Sequence, residues 1–317
     1  MGSSAGAPRL AAVLAVIAAF LWATYYFFVL TLSPGTRPVA VVAYPFLVAG
    51  VVFAGLAVYQ GHGAAFLKLW RSPAAYLRTL LLVGMQVSVL ASTYVAGPVD
   101  TSLLSLLGDV ALTPLLLMLL YREGTERARS PSFWGGMVLS SAGAALTIVG
   151  GQSAVPIRGF AWLVAPTVAL SVAFYFLLTA KANMSVPTSA VVGQASIAAG
   201  LVSLALGPLL PGGWGGLWVP SIDDLALLVG LGVTSFFIAP LLYFVAIERA
   251  GIFLPALLMA TIPVFTLVVD LAAFHVGVSP LALLGVPIAV AGGLVAVRGS
   301  HPGWEPSYGS TDLPGGK

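Results

Sequence analysis

The sequence predicts an all-α integral membrane protein: ten transmembrane helices arranged as two inverted five-helix repeats around a central cavity. Three observations predict it. Hydrophobic residues make up 59% of the 317 and charged residues only 7%, with a mean hydropathy of +1.04, whereas an average soluble domain is roughly 25% charged. Apolar runs follow one another with short polar breaks, each near the roughly 20 helical residues that cross a hydrocarbon core about 30 Å thick. The second half of the chain also repeats features of the first at an almost constant offset.

Lipid offers the backbone no water, so a crossing segment must be a helix or a strand of a closed barrel. The runs lack the alternation of barrel strands. The expected spans are 10–32, 39–59, 76–96, 102–121, 133–149, 160–180, 188–208, 224–246, 253–274 and 280–298, with about 2–4 residues of play at each end. The first, Leu10 to Leu32, follows Arg9 but is too long for a signal peptide and lacks a clear cleavage site, so it reads as a retained helix.

Residues 1–9 then form a cytoplasmic stub, and the inner side collects Arg9, Lys68, Arg71, Arg78, Arg122, Arg127, Arg129, Lys181, Arg249, Arg298 and Lys317. Only Arg37 and Arg158 fall outside. That bias of basic residues is the pattern of inner loops. It places both termini in the cytoplasm of a multi-pass protein, expected in the plasma (inner) membrane. The tail, 300–317, is rich in Gly, Pro and Ser and is expected to be disordered.

An offset of 149 pairs Tyr94 with Tyr243, Ala111 with Ala260, Pro114 with Pro263, Ser130 with Ser279, and Pro131 with Pro280. It also pairs Gly136 with Gly285, Ala142 with Ala291, Gly143 with Gly292, and Gly150 with Gly299. At 150, Ala23 meets Ala173 and Tyr25 meets Tyr175. Many of these are Pro or Gly, residues that shape a backbone. The repeats are set at 10–152 and 156–299. Five crossings per unit force the second copy to enter the membrane from the other side, the arrangement that supports alternating access.

Candidate chemistry gathers on helix four. Ser102, Ser105, Asp109 and Thr113 share one helical face. A carboxylate at the middle of a span belongs beside a wet cavity or a partner, and removal from water favours its protonated form, so proton coupling is expected at Asp109. Gln86 and Tyr94 on helix three match Ser235 and Tyr243 on helix eight, while Trp22, Tyr25, Tyr175 and Met259 complete the expected cavity wall. Asp270, together with Pro114 and Pro263, is a candidate for coupling or gating: each proline removes one helical hydrogen bond. Gly136, Ser140 and Ala144 on helix five, and Gly285, Ala289 and Gly293 on helix ten, have the spacing of close helix packing or dimerisation; a monomer or a homodimer fits.

Several of these residues carry a resemblance. Leu21-Trp22-Ala23, Tyr94-Val95-Ala96, Pro114, Glu126, Leu242-Tyr243-Phe244, Ile262-Pro263-Val264-Phe265 and Ala291-Gly292-Gly293 resemble the drug/metabolite transporter superfamily and its ten-helix EamA-type members. Two departures stand out: Tyr44 where members often carry Arg, and Phe274-His275 in place of a Gly-Glu pair. The resemblance implies export or exchange of a metabolite through a cavity lined by helices one, three, four, six, eight and nine.

The absence of Cys excludes disulfides, and His62, His275 and His301 are too far apart in sequence to suggest a metal site; no cofactor is expected. With no basic residue near the centre of any span, phosphate-bearing solutes are disfavoured. An amino acid or a drug-like amine fits better, moved by secondary active transport. The alternatives are an intramembrane enzyme or a non-transporting scaffold. Gly108-Asp109 and Pro255-Ala256-Leu257 resemble pieces of intramembrane aspartyl proteases, but residues 1–99 contain no Asp or Glu to supply a second aspartate on the preceding helix.

Overall fold

Helices dominate because each satisfies its own backbone hydrogen bonds. The computed structural model describes residues 6–122, 129–150, 161–183, 185–209, 220–274 and 279–298, among which there is no strand. Glu126, Arg127, the linker around Ser153 and Arg158, His275, Gly299 and the tail 300–317 lie outside the described residues.

Helix α1 spans Gly6–Thr31 and α2 spans Pro38–Tyr59; a short helix, Gly63–Leu69, precedes α3, Pro73–Ala96. Then come α4 at Pro98–Tyr121, α5 at Pro131–Gly150, α6 at Ala161–Asn183 and α7 at Thr188–Leu206. The last three are α8 at Ile222–Ala250, α9 at Phe253–Phe274 and α10 at Pro280–Arg298. Among the described residues, seven helices are long and apolar enough to cross a membrane: α1 to α4 and α7 to α9. The expected spans 133–149, 160–180 and 280–298 fall on α5, α6 and α10.

Proline marks several helix starts. Pro38, Pro73 and Pro98 sit in the first turns of α2, α3 and α4, where a missing N–H costs nothing. The tightest junctions need glycine. Gly97 joins α3 to α4 with φ 91°, and Gly251 joins α8 to α9 with φ 72°, a region that side chains with a Cβ disfavour. At the start of α8, Ser221 Oγ accepts from the Asp224 N–H at 3.1 Å and donates to Asp224 Oδ2 at 2.9 Å, while Asp224 Oδ1 accepts from the Ser33 N–H at 3.0 Å. This N-cap also fastens the α1–α2 connection to α8.

The helices pack in recognisable pairs: α5 on α10, α2 on α7, α1 on α8 and α3 on α6, with α1 also touching α9 and α6 also touching α4. Backbones are in direct apposition in the first pair. A Cβ on Gly136 would meet Gly292 and Ala296, one on Gly143 would meet Gly285 and Ala289, and one on Gly292 would meet Ser140. The small-residue stripes therefore face each other within one chain, allowing the close approach on which lipid-embedded helices depend in the absence of a hydrophobic driving force. Gly293 turns away, toward Ala260 and Leu257.

Gly143→Val should lower the thermal stability of the detergent-solubilised protein by about 1–3 kcal/mol or more, the cost of overpacking a tight contact. Gly55→Ala, where a Cβ meets nothing within 4 Å, should be neutral or stabilising by up to about 1 kcal/mol. Equal melting curves for the two variants would remove the packing role of the α5–α10 contact.

Candidate functional site

A cavity of about 110 Å³ opens between the helices, space for several waters or a small solute on a scale where one water needs about 10–15 Å³. Its polar groups come from Gln86 on α3, Ser105 and Asp109 on α4, Ser196 on α7 and Ser235 on α8. Aromatic walls come from Trp22, Tyr25 and Tyr26 on α1, Phe46 on α2, Tyr175 and Phe176 on α6, and Phe236 on α8. Leu82, Met85 and Val89 complete the α3 face; Val172, Val192, Pro240 and Ile262 fill the remaining apolar surface. The lining thus includes α2 and α7 besides the six helices that the resemblance implies.

Proline chemistry shapes three of these helices. Pro114 has no N–H to donate, and the preceding residues Leu107–Leu112 widen into a π-helical turn in which the Thr113 N–H reaches the Gly108 carbonyl. Asp109 lies in that turn, 3% exposed. In α8 a second π-helical stretch, Gly232–Ile238, precedes Pro240 and carries Ser235 and Phe236. In α9 the segment before Pro263 tightens instead into a 3₁₀ turn, Met259–Thr261. Such departures from α geometry recur at functional sites, because they turn side chains that a regular helix would point elsewhere.

Of the residues singled out in the sequence, Trp22, Tyr25, Gln86, Ser105, Asp109, Tyr175 and Ser235 meet in this cavity. Five others sit elsewhere. Thr113 is buried with its Oγ1 donating to the Gly108 carbonyl at 2.9 Å. Its step from Asp109 crosses the π-helical turn, so the two side chains lose the α-helical register. Tyr94 is 48% exposed and lines a separate outer hollow with Val29, Ser33 and Thr36. Tyr243 is fully buried behind Trp22, with ring centroids 5.3 Å apart, and Met259 is buried in the 3₁₀ turn. Asp270 is buried in the π-helical end of α9, Asp270–Phe274, within electrostatic reach of Tyr26.

Polar groups around the cavity are under-satisfied. Tyr25 Oη, Gln86 Nε2, Asp109 Oδ1 and Tyr243 Oη are buried without a hydrogen-bond partner. Several such atoms around one hollow depart from the rule that buried polar groups are paired, and they equip the space for a polar guest. Ser235, by contrast, is committed to the frame: its Oγ donates to the Leu21 carbonyl at 3.0 Å, tying α8 to α1. The residues that sequence reasoning missed are chiefly Tyr26, Phe46, Phe176, Ser196 and Phe236. All five are aromatic or small residues within spans, and only helix facing distinguishes them.

No metal-ligand cluster of three or more His, Cys, Asp or Glu occurs among the described residues.

The fold and cavity define a multi-pass membrane protein with an aromatic, partly polar cavity between its helices. Residues 159–298 match the EamA-like transporter family. A solved crystal structure shares the fold, with a TM-score of 0.72 and 20% identity over 92% of this chain and 97% of its own. No curated protein matches the chain.

Trp22, Phe176 and Tyr243 form an edge-on triad with centroids 5.1–5.5 Å apart. Phe176→Ala should destabilise by about 3–5 kcal/mol. Tyr243→Phe retains the ring and removes an unpartnered hydroxyl, so its melting temperature should be no lower than that of the parent; thermal unfolding in detergent checks both.

Proposed function

We propose that the protein is a secondary transporter, an exporter or exchanger, that moves a small organic solute carrying an ammonium group, such as an amino acid or a drug-like amine, by alternating access. The observation that carries this reading is Asp109: a buried carboxyl with an unpartnered oxygen, on the wall of an aromatic cavity. A cation inside aromatic walls gains both a counter-charge and the attraction of ring faces.

The mechanical half of the reading is ten crossings in two inverted units, 10–152 and 156–299, with both termini in the cytoplasm. Supporting it, the cavity lining repeats at the sequence offset: Trp22 with Val172, Tyr25 with Tyr175, Tyr26 with Phe176 and Phe46 with Ser196 at 150, and Gln86 with Ser235 at 149. The helix pairs agree. Exchanging each helix for its counterpart five places on turns the α1–α8 contact into α6–α3 and the α1–α9 contact into α6–α4, and both members of each exchange occur. Two like halves can swap conformations and open one cavity to either side in turn.

Protonation of Asp109 competes with binding of a cation, which couples a proton to the solute in opposite directions. In proteoliposomes, a pH gradient should drive accumulation of a positively charged or zwitterionic solute from a panel of amino acids and amines. Asp109→Asn should cut the gradient-driven flux at least tenfold and abolish its pH dependence. Normal flux with the parent's pH profile in the Asn variant would rule out this coupling, and a panel in which nothing moves would rule out the transport reading.

A further inference from the structure

The α3 face that lines the cavity through Leu82, Gln86 and Val89 continues one turn toward the start of the helix, to Arg78. In the sequence this residue counts as an ordinary inner-loop charge. In the fold it is only 6% exposed, and its Nε and Nη2 are buried without a hydrogen-bond partner. Among the described residues no carboxylate lies within ion-pair distance of it. The α6 helix packs along this part of α3. There Tyr175, itself in the cavity wall, lies within electrostatic reach of the guanidinium. Below Tyr175, at successive i+4 steps, Thr179 Oγ1 and both amide atoms of Asn183 are also buried without partners.

Arginine cannot shed its proton to escape a dry site, and an uncompensated buried charge destabilises the fold. Arg78 itself offers two unpartnered guanidinium N–H groups, donors suited to the two oxygens of a planar carboxylate, and Thr179 and Asn183 on the facing helix carry a hydroxyl and an amide that could add to them. Charge favours a monoanion over phosphate. The neighbouring cation on α6, Lys181, has its Nζ over the Tyr121 ring, 4.6 Å from the centroid.

We infer that Arg78, with Thr179 and Asn183, is an oxyanion site at the α3–α6 end of the cavity that receives the carboxylate of the transported solute. This inference rests on the transport reading above and narrows the solute to one bearing a carboxylate. With Asp109 supplying the counter-charge for an ammonium, the preferred solute is an amino-acid-like zwitterion.

The test uses the full-length protein in detergent and three probes: 3-methylbutanoate, 3-methylbutylamine and inorganic phosphate. The carboxylate should raise the melting temperature of the parent, whereas phosphate should have little effect. Arg78→Gln should raise the half-saturating carboxylate concentration at least tenfold while leaving the amine response unchanged, and Arg78→Lys should restore it in part. Removing an unpaired buried charge should also make ligand-free Arg78→Met melt higher than the parent, the opposite of what a structural arginine would give. Carboxylate responses that are absent from the parent or equal in parent and Gln variant, phosphate responses as strong as those to the carboxylate, or a lower-melting Met variant would each overturn the site. Flux in proteoliposomes separates the two readings. Carboxylate-bearing solutes that move equally well through parent and Arg78→Gln remove the site and leave transport standing; Arg78-dependent carboxylate binding without flux of any solute keeps the anion site and removes transport.

Discussion

Backbone hydrogen bonding is the constraint from which the rest of this structure follows. Inside a bilayer an unsatisfied N–H or C=O has no water to turn to, so the described apolar segments are helical. Three helix-interior prolines, Pro114, Pro240 and Pro263, each follow a local repair, whereas Pro45, Pro166 and Pro287 sit in unbroken α-helix. The repairs are specific. Before Pro114 and before Pro240 the helix widens to π geometry, and before Pro263 it tightens to 3₁₀. Thr113 gives its hydroxyl as well as its N–H to the Gly108 carbonyl. Asp109, Ser235 and Phe236, which line the cavity, all lie in the repaired stretches. Part of the site, including its carboxyl, is therefore built where helical regularity fails, and there the prolines act on its chemistry through the backbone.

The surrounding frame is held by contacts of the opposite kind, in which regular helices approach until backbones touch. Gly136, Gly143, Gly285 and Gly292 leave no room for a side chain between α5 and α10. Gly50, Gly193 and Gly200 do the same between α2 and α7, where a Cβ would meet Ile197, Phe53 and Leu47. Dispersion in such contacts replaces the hydrophobic drive that lipid removes. Close packing at these two pairs contrasts with the under-satisfied polar interior, so stability and function draw on different helix surfaces.

This division explains what the sequence could disclose. Length, apolarity and helix-starting prolines are local properties, and the seven helices apolar enough to cross a membrane coincide with expected spans. The stripe Ser105, Asp109 is legible because the two residues, about one turn apart, both reach the cavity wall. Thr113, beyond the π-helical turn, was placed on the same face by a rule of 3.6 residues that stops applying there. On the proposed repeat Tyr94 and Tyr243 are mates, yet one faces a separate hollow and the other a buried ring cluster, since an equivalent sequence position does not fix equal exposure. Arg78 was invisible for a different reason. A basic residue near a helix end looks like a topogenic charge until the packing of α6 on α3 shows it enclosed.

On the proposed repeat, the scaffold is symmetric but its charges are not. The counterpart of Asp109 at an offset of 149 is Leu258, and that of Arg78 is Leu227. Both charged groups lie in the first half, while the second half answers with leucine at those positions and shares the aromatic wall. Duplicating either charge across the pseudo-two-fold would set like charges near one another in a medium that screens them poorly. One acid in the cavity wall and one base a helical turn beyond it on α3 instead create a direction.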